Sequence, residues 1–204
     1  MKIHTNKIIK RLFIRIKKNK YKKRFKSFSI SSSIGSDGSG KDAIIEGFNY
    51  ISIGTNTVIG PGSEIIALDR HFNQKLTPDL RIGNHVRATS KCRITCAGCI
   101  SIEDDVLMGP EVFITDHGHG MNPMSKNGYS PQQLIVKNVT IKEGAWIGQR
   151  VCILPGTTVG VHSIIGAGSI VTKSIPDYCM AVGYPAKIIK RWDFNLKEWV
   201  RCSE

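Results

Sequence analysis

The chain has 204 residues, 41% of them hydrophobic, which suits one domain with its own core and excludes general disorder. Its 29 Lys and Arg against 16 Asp and Glu give a formal charge of +13, a balance common in nucleic-acid binders and membrane-surface proteins. Twelve of those basic residues fall in the first 26 positions, which hold no Asp or Glu. The remainder carries 17 basic and 16 acidic residues, so it offers no basic face to nucleic acid.

The first predicted element, in chain order, is that arm, residues 1–30. Ile9, Leu12, Phe13 and Ile16 recur at helical spacing among Lys10, Arg11, Arg15, Lys17 and Lys18, which predicts a basic amphipathic helix. Such a helix either lies on an anionic membrane through residues 1–26 or packs on the body with its charges in water. No apolar run reaches the roughly 18 residues of a membrane span, and no signal-peptide core follows the arm. The expected location is cytoplasmic, with the inner membrane face as a peripheral site.

From residue 47 the chain repeats with a period of six. Sixteen hexads start at 47, 53, 59, 65, 82, 88, 94, 102, 108, 114, 141, 147, 153, 159, 165 and 171, and fourteen of those first positions are Ile, Val or Met. Second positions are often Gly, fifth positions are small or β-branched, and Pro61, Pro110 and Pro155 all take the third position. A period of six cannot arise from 3.6 residues per turn. It fits a short strand and a bend repeated along the faces of a prism: an aliphatic first residue on the axis, a small fifth residue inside, and Gly or Pro near each corner. The body, residues 31–190, is therefore predicted to be an all-β parallel β-helix.

Three interruptions break the repeat: a polar excursion at 67–80, a register shift of two at 96–101, and a long loop at 115–137. A perfect prism has no pocket, so function is expected at such breaks. The long loop opens with TDHGH, which puts His117 and His119 just after the inward position Ile114. Imidazole is the side chain best matched to general-base work near neutral pH. Asp116 and Glu111 are both candidates to orient it. Cys92, Cys96 and Cys99 cluster, but Cys92 holds a fifth, inward position where a small core residue belongs, so no metal site is expected. His71, His85 and His162 fall in corners or loops and are expected to be solvated.

After residue 190, Trp192, Leu196, Trp199 and Val200 fit one face of a short helix over 191–204, which would cap the open end of a solenoid.

The hexads over roughly 44–190, the TDHGH string, WIGQRVCILPGTTVG, IIGAGSIVTKSIP and VGYPAKIIK together resemble the hexapeptide-repeat acyltransferases, in the branch that O-acetylates sugars and polysaccharides, with galactoside, maltose, nodulation-factor and capsule or lipopolysaccharide acetyltransferases. The resemblance implies a left-handed helix, acetyl-CoA as donor with no metal required, a homotrimer with active sites between subunits, and a sugar or polysaccharide acceptor. It implies His117 as the catalytic base, with His119 as runner-up or substrate contact. The implied donor contacts are Trp146, Gln149, Ala167, Thr172, Lys173, Lys187 and Lys190. The implied acceptor positions are Arg87 and Thr89, where the family carries an aromatic residue and Asn. Amino-sugar N-acetyl transfer, serine O-acetylation and a non-enzymatic scaffold are the alternatives.

Overall fold

The computed structural model describes residues 23–29, 32–35 and 42–202. The expected helix around Ile9–Ile16 lies outside the described residues. The rest is a left-handed parallel β-helix with three faces. The first face carries strands Ser27–Phe28, Ile51–Ile53, Asp79–Ile82, Cys99–Ile102, Val139–Ile141 and Thr158–Val159. The second carries Ser33–Ile34, Val58–Ile59, Arg87–Ala88, Leu107–Met108, Trp146–Ile147, Ile164–Ile165 and Cys179–Val182. The third carries Ile44–Glu46, Glu64–Ala67, Arg93–Cys96, Phe113–Thr115, Cys152–Ile153 and Ile170–Val171. Every pairing along these columns is parallel, so each coil stacks on the one before.

The hexad positions carry the roles their residue types suggest. First-position residues such as Ile53, Ile59, Ile65, Ile94, Ile114, Ile147 and Val171 are at most 2% exposed and fill the axis. Fifth positions are buried too, except Asp69, Gly98 and Gly118 in the hexads that open an interruption, and the hydroxyls among the buried ones tie neighbouring coils together. Thr57 Oγ1 donates to the Gly83 carbonyl at 2.7 Å and accepts from the Val86 N–H at 3.2 Å. Cys92 is buried inside the prism, its thiol near the carbonyls of Ser90 and Gly109.

The corners differ from the expectation in one respect. Gly and Pro at second and third positions flank the bend, but the backbone turns at the fourth, which is left-handed in coil after coil: Asn56, His85, Lys91, Asp105, Glu111, Arg150 and His162 have φ between 49° and 62°. A left-handed conformation costs roughly 1–2 kcal/mol for a residue with a side chain. The N–H groups of His85, Lys91, Asp105, Glu111, Arg150 and His162 are satisfied by the coil below; His85 N–H donates to Thr55 O at 2.8 Å and Arg150 N–H to Pro110 O at 2.9 Å. Second-position glycines serve stacking instead. A Cβ on Gly60 would overlap the Thr89 carbonyl of the next coil.

The two ends depart from expectation. Ser27–Phe28 pairs with Ser52 and Ile53, and Phe25 and Phe28 join the core, so the first coil begins inside the stretch assigned to the arm. At the other end the predicted helix over 191–204 is replaced by an antiparallel hairpin, Lys187–Asp193 with Glu198–Arg201, added to the edge of Cys179–Val182. The spacing of Trp192 and Trp199 that suggested a helical face is a cross-strand pair, with rings at 5.6 Å and 72°. A bare parallel edge offers unpaired N–H and C=O groups, and a strand satisfies them where a helix cannot. Asp193 Oδ1 closes the hairpin by accepting from the N–H groups of Asn195 and Leu196.

Candidate active site

The three interruptions gather at one edge of the prism, the corner between the third and first faces. The 67–80 excursion forms a small hairpin, Arg70–His71 with Gln74–Lys75. The 115–137 loop opens as a second ribbon, His117–His119 paired with Leu134–Val136. The two are clamped together. The Gln74 amide donates to Leu134 O at 3.2 Å and accepts from Leu134 N–H at 2.6 Å, while His71 Nε2 lies 3.0 Å from Ser130 O and 3.1 Å from Gln132 O. Both neighbours are carbonyls, so Nε2 carries the proton, and His71 is a strut rather than the solvated side chain expected. Leu76, Ala97 and Leu134 make a small apolar core beneath the clamp.

Asp116 sits at the base of this assembly. Its side chain is fully buried, and its carboxylate accepts from Ala97 N–H and Gly98 N–H, each at 2.8 Å, and from His117 Nδ1 at 2.9 Å. Burial opposes its ionisation, but the hydrogen bonds from His117, Ala97 and Gly98 outweigh burial and hold the carboxyl below its ordinary range. Those two amides come from the tight corner after Cys96, which is where the repeat shifts register by two. The shift had a visible signature in the sequence, but its purpose, turning two N–H groups toward a carboxylate about twenty residues downstream, did not. A side chain at Gly98 would strike Val136. Cys96 points at the same carboxylate from 3.5 Å, and burial, then the neighbouring Asp116 charge, push its thiol far up.

His117 is therefore held by Nδ1, which donates to Asp116 and leaves Nε2 as the basic nitrogen. Its side chain is 14% exposed, enough for one face to meet solvent or substrate. Of the two candidate orienting groups, Asp116 takes the role. Glu111 instead pairs with Arg150 at 2.8 Å and Lys91 at 3.7 Å. His119 is exposed on the same side of the ribbon, its ring 5.1 Å from that of His71.

The remaining sequence-derived positions divide between two edges. Thr172 and Lys173 are exposed at the same corner as His117, two coils further along, because Ile114 stacks on Ile153 and Ile153 on Val171. Gln149 and Ala167 stand exposed at the opposite edge of the third face, in successive coils joined by the Gly168 N–H to Gln149 O bond of 2.8 Å. Trp146, 50% exposed, faces outward on the second face, in one column with Arg87, Leu107, Ile164 and Met180. Thr89 is exposed at the corner beside Arg87. Lys190 continues that column opposite Met180, and Lys187 opposes Val182. A single copy thus brings His117 together with Thr172 and Lys173, and keeps it apart from Trp146, Gln149, Ala167, Arg87 and Thr89. Among the described residues no group of three His, Cys, Asp or Glu side chains is arranged to hold a metal ion.

No family model matches the chain. It is 32% identical over 158 residues to WbbJ of Escherichia coli K12, named for lipopolysaccharide biosynthesis O-acetyl transfer, which covers 74% of this chain and 77% of that one. It is 37% identical over 113 residues to the galactoside O-acetyltransferase of the same organism, spanning 55% of this chain and 54% of that enzyme. Among solved structures, a single-residue variant of AntD, an N-acyltransferase from Bacillus cereus, in complex with dTDP-4-amino-4,6-dideoxyglucose and coenzyme A, shares the fold with a TM-score of 0.67 at 20% identity over 88% of this chain and 91% of that one. Galactoside acetyltransferase in complex with coenzyme A shares it with a TM-score of 0.53 at 23% identity over 94% and 88%. The chain belongs to the hexapeptide-repeat acyltransferases, in the sugar and polysaccharide O-acetyltransferase branch.

Proposed function

We propose that the protein transfers acetyl from acetyl-CoA to a hydroxyl of a sugar in a bacterial surface polysaccharide, capsule or lipopolysaccharide, or in its precursor. The observation that carries this reading is the Asp116–His117 pair, a buried carboxylate that fixes the imidazole with Nε2 free, in a chain whose relatives include WbbJ. In a complex of both substrates, His117 Nε2 takes the proton of the acceptor hydroxyl as its oxygen attacks the thioester carbonyl carbon. The C–S bond breaks, and the imidazolium returns the proton to the departing CoA sulfur. The thioester is already activated, so the step requires no metal. The relatives' printed activities favour oxygen over nitrogen as the acceptor atom.

Thr172 and Lys173 contact the donor from the His117 edge. From the other edge Trp146 and Gln149 flank its thioester end and Ala167 contacts its pantetheine arm, and Lys187 and Lys190 meet its phosphates. Arg87, Thr89 and His119 contact the acceptor. Because these positions occupy two edges of one prism, the site is completed by a neighbouring copy in a homotrimer, whose threefold closure satisfies every edge equally. The protein works in the cytoplasm, where residues 1–26 add a peripheral membrane contact. Among the described residues no helix is long and apolar enough to cross a membrane.

The test is His117→Ala, assayed for thiol release from acetyl-CoA with a panel of hydroxyl and amino sugars. Turnover is expected to fall by about 10²- to 10⁴-fold, with acetyl-CoA affinity retained. Turnover within tenfold of wild type refutes the base assignment, and transfer confined to amino sugars refutes the hydroxyl acceptor.

A further inference from the structure

Phe72 breaks a local rule with no structural return. It is the first residue of the two-residue turn, Phe72–Asn73, that joins Arg70–His71 to Gln74–Lys75, and its φ is +48°. Turns of this kind favour Asn, Asp or Gly at a left-handed position, and a bulky side chain there is an outlier. The ring fills no core: Phe72 is 58% exposed, in a T-shaped contact with His71 at 4.9 Å and 82°. Unlike the left-handed corner residues of the coils, Phe72 sits in a turn outside the repeat, and strain held outside the regular scaffold occurs at ligand clamps.

What lies beneath Phe72 leads to the base. His71 is fixed by its two carbonyl acceptors, and its ring meets His119 at 5.1 Å and 66°. His119 is two residues from His117 on a strand, so both side chains leave the ribbon on the same side. The result is a row of rings, Phe72, His71 and His119, running outward from the imidazole that is to deprotonate the acceptor. A pyranose presents one face of C–H groups that stacks on an aromatic ring, and a rim of hydroxyls that does not. An aromatic side chain offers the matching apolar body at little entropic cost. Arg87 and Thr89, by contrast, stand on the other edge of the prism.

We propose that Phe72, backed by His71 and His119, is the stacking shelf for the apolar face of the acceptor sugar, and so a determinant of acceptor specificity. The proposal rests on the reading of the acceptor as a sugar and of His117 as its base. The test is binding of the 204-residue chain, with CoA present, to an array of bacterial surface oligosaccharides, alongside calorimetric CoA affinity and thermal midpoints. Wild type is expected to bind pyranosides on the array. Phe72→Ala and Phe72→Asn should lose at least tenfold in that binding, and Phe72→Trp should keep it. CoA affinity should be unchanged in all three. Phe72→Asn should also melt at a higher temperature, because Asn tolerates the left-handed turn. His117→Ala should bind the array as wild type does while losing turnover. If that variant keeps turnover, the base assignment fails and the shelf is judged by the Phe72 variants alone. The shelf is overturned if wild type binds no glycan, if Phe72→Ala binds as wild type, or if Phe72→Ala also loses CoA affinity or changes oligomer mass, which would make the ring a subunit contact.

Discussion

Asp116 receives three N–H donors at 2.8–2.9 Å and has no exposed surface, so its charge is fixed in place before any substrate arrives. Replacing it with Asn keeps the shape but turns one of its two acceptor oxygens into a donor, which then faces a backbone N–H. The fit with Ala97 and Gly98 is lost, and so is the charge that would stabilise the imidazolium. We expect kcat for Asp116→Asn to fall about 10²- to 10⁴-fold with the KM for acetyl-CoA unchanged; equal losses in kcat and in donor affinity would mean that the residue only holds the loop. The same carboxyl is held below its ordinary range, so its contribution to stability is full above the unfolded pKa of about 3.9 and is lost as pH falls through the folded value. Urea midpoints of wild type and Asp116→Asn should therefore differ most near neutral pH and converge below about pH 4. A gap independent of pH would contradict this. At this scale the TDHGH string singles out the imidazole proposed as the base, whereas the choice between Asp116 and Glu111 as its partner was not legible. It depends on which carboxyl meets the amides of Ala97 and Gly98, and those residues come from the preceding coil.

Among the elements, the regular ones were legible and the pairings between irregular ones were not. A six-residue period fixes which side chains face inward, and Ile53, Thr57, Ile94 and Val151 are all buried as that period requires. The period is silent about how an excursion folds. The 67–80 segment reads as polar and solvated, yet Gln74 and His71 grip the loop that carries His117 through four backbone contacts. The C-terminal end was misread because Trp192 and Trp199 suit a helical spacing as well as a cross-strand pair, and only the open edge of Cys179–Val182 decides between them. Two outcomes follow. Gln74→Ala should raise amide hydrogen exchange across residues 117–136 and lower kcat, while the global melting temperature shifts by only a few degrees; unchanged exchange would show that the clamp is not what orders the ribbon. Gly60→Ala should do the reverse. The added methyl meets the Thr89 carbonyl of a stacked coil that cannot yield, so stability should fall by more than about 2 kcal/mol in denaturant unfolding, well above the usual cost of a single substitution.

For the whole molecule, twelve of the thirteen net positive charges belong to the first 26 residues, and the remainder of the chain is near neutral. The outer columns of the prism differ from face to face. The first face presents Ser27, Ser52, Arg81, Ser101, Thr140 and Thr158, while the second presents Arg87 followed by the apolar run Leu107, Trp146, Ile164 and Met180, with Leu107 and Trp146 39% and 50% exposed. Exposed apolar columns of this kind mark surfaces that another chain or a ligand covers. They lie on the side of the prism away from His117, which is what an active site shared between copies requires. That arrangement can be tested by subunit complementation. His117→Ala and the double variant Trp146→Ala/Gln149→Ala, each inactive alone, are mixed under conditions that allow subunits to exchange, and acetyl transfer is measured. If each site pairs His117 of one copy with Trp146 and Gln149 of the next, random 1:1 exchange restores about a quarter of wild-type activity, because one interface in four is intact. Activity that stays at the mean of the two inactive parents, or a His117→Ala parent that is active by itself, would contradict the account.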